Sequence, residues 1–131
     1  MIVIDSSAFC AILFLEPEAQ KLADAIQAAG SPKFSAANLV ETSMVIQSRK
    51  GDTGIREFDH QMVRGKIEIV PVDSAQAHIA REAFRLYGKG RHAAGLNFGD
   101  CFAYALAKVT GYPVLAKGPE FARTDIGVVE V

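Results

Sequence analysis

Three acidic residues, Asp5, Glu41 and Asp100, lie in apolar segments where a carboxylate is unexpected. Asp5 ends the run MIVID, Glu41 lies within NLVETSMVI, and Asp100 opens DCFAYALAK. No lysine or arginine is close to them in sequence, and an unpaired carboxylate in apolar surroundings is costly. If the three acids came together they would repel one another, and a divalent cation would relieve that repulsion. Carboxylate oxygens suit Mg²⁺ or Mn²⁺, so the pattern indicates a candidate metal site.

Each acid also has a purely structural interpretation. Asp5 and Asp100 both precede predicted helices, and Asp is a preferred N-cap residue. Glu41 lies on an apolar helix face, but it would reach solvent if the stripe with Leu39 and Ile46 faced inward instead. The residues by themselves leave these alternatives open.

Other metal chemistry is not indicated. Cys10 and Cys101 lie inside apolar runs, as small reduced core residues do. Neither they nor His60, His78 and His92 show the ligand spacing of a zinc site.

Composition indicates one soluble globular domain. The chain has 131 residues, of which 50% are hydrophobic and 22% charged, and we expect a single domain over residues 1–131. The net charge of −1 and the pI near 6.3 exclude a surface that is basic throughout and binds nucleic acid by general electrostatic attraction. The apolar runs are too short to span a bilayer and the N-terminus lacks a signal-peptide pattern, so we expect a cytoplasmic protein without membrane contact.

Strands alternate with helices along the chain, which predicts an α/β fold with a mostly parallel central sheet flanked by helices. In such sheets ligands bind beyond the carboxyl ends of the strands, which is where Asp5 lies. The predicted strands are 1–5, 32–35, 66–72, 112–116 and 126–131; the predicted helices are 6–16, 17–29, 36–50, 53–65, 75–88 and 100–111, and loops cover 88–99 and 117–125.

Four segments together carry a resemblance to a known family. MIVIDSSAF, NLVETSMVI, YGKGRHAAGLNFGDCFAYALAK and KGPEFARTDI resemble the PIN-domain ribonucleases, and among them the VapC toxins of type II toxin–antitoxin systems. The likeness covers essentially the whole chain. Its most specific part is the Gly-rich loop together with the following predicted helix, which begins at Asp100. It implies a Mg²⁺- or Mn²⁺-dependent endoribonuclease that hydrolyses phosphodiester bonds of RNA, with one or two metal ions.

The resemblance assigns acidic roles to individual positions. Asp5, Glu41 and Asp100 match the family's catalytic, metal-binding acids. The subfamily usually has Asp before the Phe of FKGxDF, where this chain reads AKGPEF and places Glu120. Asp125 of RTDI is the other candidate for the fourth acid and metal ligand.

Further residues receive weaker assignments. Ser7 matches the hydroxyl of the family's D-x-S pattern, which would orient a carboxylate or a metal-bound water, although it could instead cap a helix. Lys89, Arg91 and His92 lie in the Gly-rich loop before Asp100 and could hold RNA phosphates, or could simply be solvated.

The resemblance also implies partners: a VapB-type antitoxin that inserts a segment into the acidic groove, and a second copy of the toxin in a homodimer, with little DNA binding by this chain alone. Two alternatives remain at this point. One is a PIN-like binding module without strong catalysis. The other is a receiver- or phosphatase-like aspartate domain, suggested by Lys117 after VLA but disfavoured because Ser6 and Ser7 follow Asp5 where further acids would be needed.

Overall fold

The structure, a computed structural model, describes residues 1–131 and contains a four-stranded parallel sheet whose strands lie in the order Glu68–Val70, Lys33–Ser35, Val3–Ile4 and Val114–Leu115. This confirms the predicted α/β class. The strands are β1 (Val3–Ile4), β2 (Lys33–Ser35), β3 (Glu68–Val70) and β4 (Val114–Leu115); the helices are α1 (Ser6–Leu13), α2 (Ala19–Ala28), α3 (Ala36–Arg64), α4 (Ser74–Tyr87) and α5 (Phe98–Thr110).

Helices cover both faces of the sheet. Neighbouring strand residues point to opposite sides, so each face carries apolar side chains that the helices bury. Ile4 and Leu115 pack into a core with α1, α2 and α3, whereas Val3 and Val114 pack into a second core with α4 and α5. All four side chains are fully buried. The apolar run at the start of the chain is therefore the centre of the sheet, paired with β2 on one side and β4 on the other.

Three phenylalanines fix the helices of the first core against each other. Phe9 of α1 makes edge-to-face contacts with Phe34 at 5.0 Å and with Phe58 at 5.1 Å between ring centroids. Since Phe58 comes from the second half of α3, this cluster anchors α3 beside α1. That contact places the first half of α3, with Glu41, beside the end of β1.

Helix α3 joins two segments that we predicted as separate helices. The break falls at Gly51, whose φ of 62° and ψ of −157° interrupt the helix as a kink. Helix α5 begins at Phe98, two residues before the predicted start, because Asn97 is the N-cap.

Two other predicted boundaries were wrong. Helix α1 ends at Leu13, because Leu15 adopts a positive φ of 53°, and α2 begins at Ala19 and not at Pro17. The predicted terminal strand over 126–131 is reduced to one isolated bridge between Val114 and Val128. No helix combines the length and apolar character that a membrane-spanning segment requires.

Alanine at Gly51 should destabilise the fold through the backbone alone. A Cβ there would meet nothing within 4 Å, but its φ and ψ lie in a region that is essentially restricted to glycine. We expect Gly51→Ala to lower the free energy of unfolding by about 2 kcal/mol in a urea titration. Gly111→Ala is the matched control, because Gly111 is equally unobstructed but left-handed helical, where alanine costs about 1 kcal/mol. Equal losses at both positions would contradict the backbone explanation.

Candidate functional site

Asp5 lies at the carboxyl end of β1 and caps α1. Its side chain is only 3% exposed; Oδ2 accepts a hydrogen bond from the Ser7 amide at 3.0 Å, and the buried Oδ1 has no hydrogen-bond partner. The Ser7 hydroxyl in turn accepts a bond from the Lys117 amide at 3.0 Å, which ties α1 to the segment after β4. Capping therefore uses one carboxylate oxygen and leaves the other for a ligand.

Asp100 is held in the first turn of α5 by a capping box. Its Oδ2 accepts from the Asn97 amide at 3.0 Å, and the Asn97 side chain accepts from the Asp100 amide at 2.9 Å. The N-cap is thus Asn97, and Asp100 is the third helical residue. This arrangement aims Asp100 rigidly and again engages one oxygen.

Glu41 projects from α3 toward α5 and is half-buried. Its carboxylate lies against Gly99, where any Cβ would overlap the carboxylate atoms. Asn38, one turn earlier on α3, donates from Nδ2 to Glu41 Oε1 at 3.3 Å. Because Gly99 has no side chain, the Glu41 carboxylate can occupy this position next to Asp100.

Glu120 stands at the N-cap position of a 3₁₀ helix, Phe121–Arg123, after β4. Its carboxylate folds back over Gly118 so closely that a Cβ on Gly118 would overlap it. The longer arm of Glu, compared with the Asp usual at this position, is accommodated by this fold-back.

These acids lie close enough together for Glu41 and Glu120 to influence the pKa values of Asp5 and Asp100. Burial, followed by repulsion from Glu41 and Glu120, raises the pKa of Asp5 to about 6, although hydrogen bonds from Ser7 oppose the rise. Burial and then repulsion from Asp5 raise the pKa of Asp100 to about 7, with further contributions from Glu120 and Glu41. Asp5, Glu41, Asp100 and Glu120 are therefore brought together at the carboxyl end of the sheet.

Asp125 is not part of this group. It accepts hydrogen bonds from the Tyr104 hydroxyl at 2.6 Å and from Lys108 Nζ at 2.5 Å. The Lys108 ammonium, then Tyr104, lowers the pKa of Asp125. Both carboxylate oxygens thus anchor the C-terminal segment to α5, so the structure does not support Asp125 as the fourth acid.

The basic side chains of the Gly-rich loop are exposed and lead directly into α5. The loop closes on itself, since the Lys89 amide bonds Leu96 O at 2.9 Å. The Arg91 guanidinium lies over the Phe84 ring at 5.7 Å, and His92 Nδ1 accepts from the Ala94 amide at 3.0 Å. The loop is internally braced while its charged groups face solvent.

The donor atoms fit Mg²⁺ or Mn²⁺. No three His, Cys, Asp or Glu side chains are close enough together to form a complete metal cage. Mg²⁺ does not need one, because it usually takes one or two carboxylates and completes its shell with water and phosphate oxygens. The orphaned, buried Oδ1 of Asp5 is the atom such an ion would satisfy. Burial raises the pKa of the Cys10 and Cys101 thiols to about 11, so both are neutral at physiological pH.

The PIN domain family matches residues 2–127. The chain is a PIN domain. It is 51% identical over 127 residues to "Ribonuclease VapC" of Mycolicibacterium smegmatis, covering 97% of this chain and 98% of that protein. It is 48% identical to "Ribonuclease VapC30" of Mycobacterium tuberculosis, covering 97% of both chains. It therefore belongs to the VapC group of PIN domains, as the sequence resemblance predicted.

Solved structures share the PIN fold at lower sequence identity. The crystal structure of VapC20 from Mycobacterium tuberculosis superposes with a TM-score of 0.80 at 16% identity, covering 100% of both chains. The VapBC2 structure from Rickettsia felis gives 0.76 at 15% identity, covering 99% of this chain and 98% of that one. Family membership removes the receiver and phosphatase alternatives, and Lys117 pairs with Glu16 at 2.6 Å instead of with Asp5.

Sequence reasoning missed Asn38. The inward stripe of α3 consists of Asn38, Thr42 and Ile46, all fully buried, and not of Leu39 with Ile46. The sequence did contain a signal for Asn38, because Asn38 and Thr42 are two polar residues four positions apart, beside Glu41. Polar side chains are rarely buried without a role in a hydrogen-bond network.

The acidic cluster predicts an unusual pH dependence of the metal-free protein. Asp5 and Asp100 bind protons more tightly when folded, so their contribution to stability is present below about pH 4 and is lost as pH rises through about 6 to 7. We expect Asp5→Asn to stabilise the protein in EDTA at pH 8 by on the order of 2 kcal/mol, and not at pH 4, in urea titrations.

Asp73→Asn is the control, because Asp73 also caps a helix through its side chain but is exposed and outside the cluster. Its effect should be small at both pH values. An Asp5→Asn protein that loses stability at pH 8 would contradict the repulsion described above.

Proposed function

We propose that this PIN domain is the toxin of a toxin–antitoxin pair, a Mg²⁺- or Mn²⁺-dependent endoribonuclease that hydrolyses phosphodiester bonds of RNA. The observation that carries the proposal is the buried, unpartnered Oδ1 of Asp5 in a region where repulsion from Glu41 and Glu120 reaches both Asp5 and Asp100. Acids with no cationic partner need one from outside. The ribonuclease names of relatives about 50% identical over nearly the whole chain support the same activity.

In this proposal Asp5, Glu41 and Asp100 line the metal site, where one or two of them would bind the ion directly and the others through water, and Glu120 is the fourth acid. A metal ion bound there would supply Lewis acidity for activating a water and for neutralising charge on the leaving oxygen. The capping bonds of Asp5 and Asp100 hold one oxygen of each carboxylate, so the other oxygens face the site in fixed directions. Ser7 contributes by orienting Asp5 and by fixing the chain after β4 through Lys117.

The RNA would be held by the loop before α5. Lys89, Arg91 and His92 are exposed there, and local cations can bind phosphates although the net charge is −1. The bracing of the loop reduces the entropy lost on binding. Which RNA is cut depends on shape and base contacts beyond the acidic cluster.

We further propose that residues 1–131 act as one cytoplasmic nuclease domain bound by a VapB-type antitoxin. Structural neighbours include toxin–antitoxin complexes from Rickettsia felis and Klebsiella pneumoniae. A second copy of the chain is the expected partner for an apolar groove of about 600 Å³ between α4 and α5. Phe98 lines this groove and is 78% exposed in the single chain, which is unusual for a residue so apolar.

Cleavage should depend on the metal and on the converging acids. With a structured RNA in Mn²⁺ we expect cleavage that EDTA abolishes, and a loss of roughly 100-fold or more in Asp5→Asn and Asp100→Asn. Asp125→Asn is the control, because Asp125 lies outside the cluster, and it should cleave at close to the wild-type rate. Cleavage in EDTA, or full activity in both cluster variants, would refute the nuclease proposal. Absence of cleavage by a folded, Mn²⁺-binding wild type would instead favour a binding module.

A further inference from the structure

Asn38 is a buried polar residue whose contacts all lead to the acidic site. Its side chain is 0% exposed, and it lies on the inward stripe of α3, three residues before Glu41. Its backbone carbonyl accepts a hydrogen bond from the Ser6 hydroxyl at 3.3 Å, in the first turn of α1. Asn38 thus lies where α1, α3 and α5 meet.

The side-chain amide of Asn38 bridges two acceptors. Nδ2 donates to Gly99 O at 3.0 Å and to Glu41 Oε1 at 3.3 Å. Because both partners are oxygens, only the amide nitrogen can face them, and the reversed side chain would place oxygen against oxygen. One NH₂ group therefore links the carboxylate of α3 to the backbone of α5.

Gly99 completes the arrangement by having no side chain. Any Cβ at this position would overlap the Glu41 carboxylate. Gly99 also immediately precedes Asp100, so the bond from Asn38 to Gly99 O sets the separation between two acids of the cluster. Those acids repel each other when no cation is present, and the bridge opposes their separation.

We propose that Asn38 and Gly99 form a clamp that positions Glu41 beside Asp100 for metal binding. This inference rests on the proposed function and deepens it. Asn38 is a positioning residue, since it acts through Glu41 and does not itself supply the site with a negative charge. Holding a carboxylate in its ligating orientation strengthens metal binding, as outer hydrogen-bond partners of metal ligands generally do.

The test compares two routes to breaking the clamp. Asn38→Leu removes the amide while keeping the number and branching of the side-chain heavy atoms, and Gly99→Ala blocks the position of the Glu41 carboxylate while leaving Asn38 unchanged. Thr42→Val is the matched control: Thr42 lies on the same inward stripe, is 0% exposed, and its hydroxyl makes no hydrogen bond. The main readout is the Mn²⁺ dissociation constant, measured by calorimetry on the full chain without RNA.

We expect Asn38→Leu and Gly99→Ala each to weaken Mn²⁺ binding roughly 10-fold, and Thr42→Val to leave it within about twofold. The Mn²⁺ concentration for half-maximal RNA cleavage should rise by the same factor, with cleavage largely recovered at high Mn²⁺. Melting temperatures in EDTA identify general destabilisation, and Gly99→Ala keeps the test decisive if Asn38→Leu does not fold.

Two results would overturn the clamp while leaving the nuclease proposal intact. One is wild-type Mn²⁺ affinity in a folded Gly99→Ala or Asn38→Leu protein. The other is an equal loss in Thr42→Val, which would assign the effect to packing. A wild-type protein that neither binds Mn²⁺ nor cleaves RNA would overturn both proposals together.

Discussion

Mutual repulsion among four carboxylates is the constraint on which the arrangement of this protein depends. Burial raises the pKa of Asp5 and Asp100, and repulsion from the carboxylates of Glu41 and Glu120 raises both further. A fold that merely minimised its energy would disperse these charges. Here they come from four separated parts of the chain, and in the proposed function a bound cation would relieve their repulsion.

The scaffold resists that repulsion with backbone hydrogen bonds and glycines, and not with cationic side chains. Asp5 caps α1 and Asp100 closes the capping box of α5, so each is fixed by amides of its own element. Glu41 and Glu120 rest on Gly99 and Gly118, where a larger residue would displace them. Amides and glycines add no net charge, so the site stays negative enough to attract a divalent ion.

The basic side chains lie apart from the acidic cluster. The Gly-rich loop presents Lys89 and Arg91 to solvent just before α5, whereas Lys108 and Lys117 are paired with Asp125 and Glu16. A lysine among the acids would compete with the metal for the carboxylates. In the function that we propose, this separation would let the acidic cluster bind a metal ion and the basic loop bind phosphate.

Local sequence determined the element types and the acids that end or open them. The apolar run before Asp5 predicted a central buried strand, and alternating strands and helices predicted the parallel sheet, because both patterns follow from short-range periodicity. The motifs also identified Asp5, Glu41 and Asp100 as candidates. The sequence did not distinguish Glu120 from Asp125 as the fourth acid, since both lie in the segment after β4 and local sequence does not say where each carboxylate points.

Only the tertiary structure distinguishes the surroundings of these two carboxylates. Tyr104 and Lys108, brought close by the packing of α5 against the C-terminal segment, engage Asp125, while Gly118 lets Glu120 fold toward the cluster. Local sequence could not predict the contact of Asn38 either, because its hydrogen-bond partner Gly99 is 61 residues away in the chain. The sequence by itself determined which side chains carry charge; long-range packing determined which of those charges meet, because a carboxylate's partners are set by neighbours distant in sequence.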